Sequence, residues 1–328
     1  MIDFRYHVVS LISVFLALAV GIVLGAGPLQ GQIGTGLQKS VEALRAQKDD
    51  LHSELALTQK DVQQREAFLK AVSPAMTVGA LGGRTVVIVA LPGVDSSAVA
   101  STVQALETAG ATVTARITIE DAWTAPDQED RRASALLKVA AVDAEVARAS
   151  GQAEAELALC LARSLMTGTG LAGAGLNGSV LRREALSAID ILKTARLINV
   201  AGTLRQSAYG AVILAPEVSK DSGSQPSPSV SALRQARLQA WYRLVLDLDS
   251  RGGGSVVLGP ASAAGDGGLV QLIRADPVTK ARVSTVDEGP TAMGEISTVL
   301  ALQEQFIGKA EAYGFADSAQ APVPGATS

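Results

Sequence analysis

Few side chains in this chain could do chemistry, and their types and spacing exclude several classes of site. Histidine occurs twice, as His7 and His52. His7 adjoins a long apolar run and His52 lies in a heptad-patterned helix, so neither enters the domain that follows. A Ser–His–Asp or Cys–His catalytic group is thereby excluded there. Cys160 is the single cysteine; it has no disulfide partner in the chain and cannot replace histidines in a zinc site. The stretch "GTGLAG" sets Gly168, Gly170 and Gly173 at G-x-G-x-x-G spacing. A dinucleotide fingerprint follows a strand and opens a helix. Here the helical "AELALCLARSLMT" precedes it, so a loop is expected. Ser96 and Ser97 stand at a helix start, where an anion could sit, but capping by Asp95 or Ser96 is the simpler role.

Two acidic pairs complete the inventory. Asp247 and Asp249, two apart on a helix, point in different directions. Asp287 and Glu288 close a strand, either solvated in a loop or facing a crevice at the sheet edge. The second alternative would make them the acidic site of an enzyme. No arrangement demands one, so no catalytic and no cofactor-binding residue is assigned.

The elements that would hold these residues are clearer. The nineteen residues from Val8 to Ala26 carry no charge, and as a helix they measure roughly 28 Å, close to the ~30 Å hydrocarbon core of a bilayer. Signal-peptide apolar regions are shorter and end at A-x-A-like sites. Gly25-Ala26-Gly27 offers small residues, but Pro28 follows at once. Residues 8–27 are read as an uncleaved anchor contacting membrane lipid, with cleavage near Gly27 the open alternative. Arg5 precedes the run and no basic residue follows until Lys39. The positive-inside tendency then keeps residues 1–7 in the cytoplasm and sends the rest outside.

Residues 37–73 follow a heptad. Leu37, Val41, Leu44, Leu51, Leu55, Val62, Leu69 and Val72 fill eight of eleven a and d positions, with Lys48, Thr58 and Arg65 in the remainder. Apolar seams of this length mark coiled coils, and Ser73-Pro74 is expected to end the helix. The thirty-six residues 37–72, as a helix, would extend about 54 Å, too far to lie wholly on an ordinary domain. The stretch is read as an association stalk whose partner is either a second copy or another protein. With a net charge of −4, the chain has no general basic footprint for nucleic acid.

From residue 80 the pattern becomes α/β. "RTVVIVALPG", "ATVTARITI", "GAVILAP", "GSVVLGP" and "ARVSTVDEG" read as about five mostly parallel strands. Helices are expected over 128–166, 180–196, 230–250 and 291–313, the first a long helical insertion. The domain covers 80–316, with a flexible loop at 219–229 and a disordered tail at 317–328.

The opening "YHVVSLISVFLALAVGIVLGAG", the stalk, and then "GRTVVIVALPG" with "AGATVTA" resemble the MctB family, envelope proteins of mycobacteria and related actinobacteria linked to copper transport. The resemblance runs in order through anchor, stalk and α/β domain, and is sharpest in the histidine-led apolar segment. It implies an envelope location, an outer-membrane one by the family's description, and a part in keeping intracellular copper low. Cu(I) prefers thiolate, thioether and imidazole ligands, which makes Cys160 and Met166 the candidate copper ligands. Six apart on a helix, they lie about 600° around and share no face. Direct copper handling would therefore need several copies to bring such ligands together. The other reading is a scaffold that affects copper through an envelope assembly. A barrel pore would need repeated ~10-residue alternating strands, a pattern not found here.

Overall fold

The computed structural model describes residues 4–26, 29–143, 146, 152–166, 183–202, 204–218 and 227–325. The chain divides into two compact units, Met1–Arg65 and Glu66–Ser328.

In the first unit, α1 (Phe4–Ala26) is apolar on all sides. Its residues Phe4–Gly25 average a hydropathy of 2.7 and none is buried, so by length and composition the helix could cross a bilayer. The Ser13 hydroxyl donates to the Val9 carbonyl, which satisfies a polar group that hydrocarbon would leave unpaired. Helix α2 (Leu29–Thr77) belongs to this unit as far as Arg65.

The expected stop at Pro74 is not observed. Pro74 lies inside α2, which continues to Thr77. A proline lacks only its own N–H, and neighbouring groups close the last turn: Val78 N donates to the Pro74 carbonyl, and the Thr77 hydroxyl donates to the Ser73 carbonyl. The second unit therefore begins within α2. There Glu66 accepts a 2.7 Å hydrogen bond from Ala292 N.

The second unit is built on β1 (Thr85–Ala90), β2 (Thr112–Ile119), β3 (Ile198–Ala201), β4 (Gly210–Leu214), β5 (Gly254–Leu258), β6 (Ser284–Val286) and β7 (Ala312–Tyr313). They form one sheet in the order β3-β2-β1-β4-β5-β6-β7, in which only the β2–β3 pairing is antiparallel. The order reverses direction between β1 and β4, as in doubly wound sheets. Period-two alternation explains why β1 is apolar throughout. Val87 and Val89 enter one core, while Val86, Ile88 and Ala90 enter the other.

Helices α3 (Ser96–Thr108) and α10 (Ala292–Gln305) cover the second face with Val103, Leu106, Val299 and Leu302. The first face is covered by α4 (Glu129–Ala140), α5 (Ala153–Leu165), α6 (Arg183–Thr194), α7 (Pro228–Ser250) and α8 (Leu269–Ala275). A short helix, α9 (Pro277–Lys280), follows.

Several boundaries differ from expectation. The insertion expected as one helix over 128–166 is two, α4 and α5. The sheet has seven strands rather than about five, because β3 and β7 are too short to stand out as apolar runs. Part of the helix expected over 291–313 is β7: α10 ends at Gln305, and Gly308, with φ +85°, reverses the chain. The tail expected to be disordered from 317 is tied down at Gln320 and Ala321. Ala321 bridges Tyr313, and Gln320 N and Ala321 N both donate to the Ala312 carbonyl. The glycine-rich stretch at Gly168, Gly170 and Gly173 and residues 219–226 of the expected loop lie outside the described residues.

Candidate functional site

The apolar seam of α2 has two parts. Val41, Leu44, Leu51, Leu55 and Val62 stand 38, 63, 64, 54 and 58% exposed, so five branched side chains on one stripe face solvent. Leu69 and Val72 are half-buried in the second unit. The side chain of Leu37 lies outside those described. Covering each exposed leucine would contribute about 1.5–3 kcal/mol. The ion pair between Arg65 and Asp61 within the helix, at 2.8 Å, is exposed and weak. It gives the seam arginine a local partner.

The candidate ligands Cys160 and Met166 both enter the large core under the sheet. Cys160 lies on α5, fully covered, and burial, with the nearby charge of Asp143, pushes its thiol up to about 12. A thiol held protonated is a poor nucleophile and a poor metal ligand. Met166 caps the C-terminus of α5 rather than continuing it. Its methyl fills the space beside Gly252, where a Cβ would collide with it. Met76 is exposed and Met293 half-buried. Among the described residues, no three His, Cys, Asp or Glu side chains are grouped to hold a metal ion.

In the Asp287–Glu288 pair, Asp287 is neither solvated nor a free acid. Asp287 is fully buried and receives Arg274 Nη1 at 2.7 Å. The backbone N–H groups of Phe315 and Ala316 also donate to it, at 2.9 and 3.3 Å. Arg274 in turn donates to Thr285 Oγ1, Ser318 Oγ and the Tyr313 carbonyl. Only glycine fits at Gly314, where φ is +130° and a Cβ would strike the carboxylate. Desolvation lowers the pKa of Arg274, opposed by its bond to Asp287. Glu288 is half-buried, and burial and then the charge of Asp287 raise it. The cluster staples the C-terminal segment to the sheet. No short sequence motif joins positions 274, 287 and 315; their separation hides the arrangement.

The other acidic pair diverges. Asp249 meets Arg282 at 2.9 Å, while burial pushes Asp247 up to about 6. At the sheet's carboxyl edge, Asp95 accepts from Ser97 N at 2.7 Å, so the chain's own carboxylate occupies the α3 N-terminus.

Over residues 1–324 the chain matches the family described as "Copper transport outer membrane protein, MctB". It belongs to the MctB family. The copper transporters MctB of Mycobacterium tuberculosis (strain ATCC 25618 / H37Rv) and of Mycobacterium bovis (strain ATCC BAA-935 / AF2122/97) are each 26% identical to it over 318 residues, covering 93% of both chains. The copper transporter MctB of Mycobacterium leprae (strain TN) is 25% identical over 332 residues, covering 94% of both. In this member of the family the thiol and thioether at 160 and 166 are buried in the core. The exposed apolar side chains outside α1 include those of the α2 stripe, with Leu57 and Phe68 on the same helix more exposed still.

Proposed function

We propose that this MctB-family chain is a single-pass envelope protein, held in the membrane by α1 with its N-terminus in the cytoplasm and its α/β domain outside. In this reading α2 associates with a partner helix, and the chain acts as a scaffold rather than as a pore or an enzyme. The row of exposed seam residues Val41, Leu44, Leu51, Leu55 and Val62 carries the proposal, because apolar side chains at heptad spacing gain by mutual burial. Any effect on copper is then indirect, through the assembly that the stalk organises. Replacing Leu44, Leu51 and Leu55 together by glutamine is expected to abolish association of the full chain in detergent micelles, read by sedimentation and cross-linking. The thermal midpoint of the α/β domain should not move. Association that survives the triple change removes the stalk from the mechanism.

The names of the relatives favour a second reading, direct handling of copper as cargo. It requires the buried Cys160 thiol to lose its proton and gain access to the ion. Copper tolerance in a Cys160→Ser, Met166→Leu strain separates the two readings. Wild-type tolerance supports the scaffold, and lost tolerance with a normal domain melting temperature supports direct ligation.

A further inference from the structure

Helices α4 and α6 pack side by side on the first face of the sheet and leave an open groove of about 370 Å³ between them. Its charged lining is Arg131 and Lys138 from α4, Asp190 from α6, and Arg196 just beyond the end of α6. Ser134 and Thr194 add hydroxyls, and the floor is alanine and isoleucine. Three cations against one carboxylate make a local net charge of +2 in a chain whose total is −4. The side chains of Arg131, Lys138 and Arg196 make no hydrogen bond or ion pair among the described residues.

The backbone at Arg196 is a second, independent sign. Arg196, with φ +53°, is the sole non-glycine residue with positive φ among those described. It closes α6 by a Schellman arrangement, with Arg196 N donating to the Lys193 carbonyl and Leu197 N to that of Leu192. The same arrangement closes α3, where Gly110 N donates to Glu107 and Ala111 N to Leu106. There the left-handed position is Gly110, with φ +91°. Glycine is the ordinary choice, and a side chain there costs about 1–2 kcal/mol. A long cation in the strained position, beside two more unpaired cations, is what a ligand contact would select for.

We infer that the α4–α6 groove binds the phosphoryl group of a small hydroxylated phosphate ester, through Arg131, Lys138 and Arg196. Two guanidinium forks suit phosphoryl oxygens geometrically, and a phosphate monoester carries a charge near −2, which the groove's net +2 balances. Ser134 and Thr194 can donate to the remaining oxygens, and Asp190 can accept from the ester's own hydroxyls. A phospholipid headgroup offers the same phosphoryl oxygens to the two guanidinium forks, although as a diester it carries one negative charge rather than two.

The test uses the full chain in neutral detergent micelles. Inositol 1-phosphate is titrated by calorimetry, and native mass spectrometry counts phosphatidylinositol or phosphatidylcholine retained from doped micelles. Wild type is compared with the Arg131→Gln, Lys138→Gln double variant and with Arg196→Gly. Each variant should weaken binding at least about tenfold, the loss expected for charge-assisted hydrogen bonds. Arg196→Gly should melt at or above the wild-type temperature, because it relieves the left-handed arginine. That pairing of higher stability with lost binding is not expected of a merely structural residue. Binding of inositol phosphate alone assigns the groove to a soluble ester. Selective retention of phosphatidylinositol, lost in the variants, assigns it to a headgroup. Equal binding by wild type and variants, or no binding of either probe, overturns the proposal.

Discussion

Helices α2 and α10 both carry an apolar stripe; that of α10 is buried, and that of α2 upstream of Glu66 is exposed. On α10, Ala292, Ile296, Val299 and Leu302 are buried, the last two in the core against the sheet. On α2, Leu44, Leu51 and Leu55 stand more than half exposed. Periodicity states that a face gains by being covered; it does not say what covers it. For α10 the cover is β-sheet from the same polypeptide, and the stripe contributes to folding. For α2 upstream of Glu66 the stripe is exposed, and in the assembly proposed above its stabilisation would come from the partner helix.

The comparison can be broken most forcefully at the buried ion pair. Arg274→Met leaves the Asp287 carboxylate buried without its cation, which should cost about 3–5 kcal/mol in urea unfolding of the full chain. Association through α2 should survive as long as the variant is folded. A cost below about 1 kcal/mol would mean that the backbone donors at Phe315 and Ala316 suffice alone. Next in size is a matched pair on the two helices. Leu302→Ala should destabilise the domain by about 2–5 kcal/mol, the usual range for a buried leucine. Leu55→Ala should stay within about 0.5 kcal/mol when the chain is dilute enough to be unassociated. Equal costs in calorimetry would erase the distinction between the stripes.

The smallest effect concerns pH. Burial holds a proton on Asp247 up to about pH 6, whereas an unfolded aspartate releases it near pH 4. Between those values the folded form binds more protons than the unfolded one, so this group's contribution to stability falls as pH rises from about 4 to 6. Asp247→Asn should therefore raise the melting temperature at pH 7.5, with the gain shrinking toward pH 4. A gain that does not vary with pH would exclude titration as its cause.

Much of the architecture is legible along the chain, for identifiable reasons. Strands β1, β4 and β5 are covered on both faces, so they are written as unbroken apolar runs bounded by glycine and proline. Helix α3 is legible by its Asp95 cap and Gly110 stop. Strands β3 and β7 are not, because four and two residues are too short for an alternation to register. Pro74 reads as a stop and is not one, since hydrogen bonds around it close the final turn. Of the candidate residues, the α2 seam is visible as a pattern. The staple at Arg274, Asp287 and Phe315 is not, because nothing local records which arginine a buried aspartate will meet. The same holds for Glu66, whose carboxylate reaches Ala292 N from 226 positions away.

The amino-acid sequence alone determined the apolar α1, the heptad stripe of α2 and the parallel α/β core, since each is a periodic property of neighbouring residues. It also determined how few soft ligands exist, which is a matter of composition. Tertiary structure decided whether each reactive group is reachable. It buried Cys160 and Met166, paired Asp287 with Arg274, and left Arg131, Lys138 and Arg196 unpaired around one groove. Exposure and pairing depend on residues distant in the chain, and only the folded sheet with its helices brings those together.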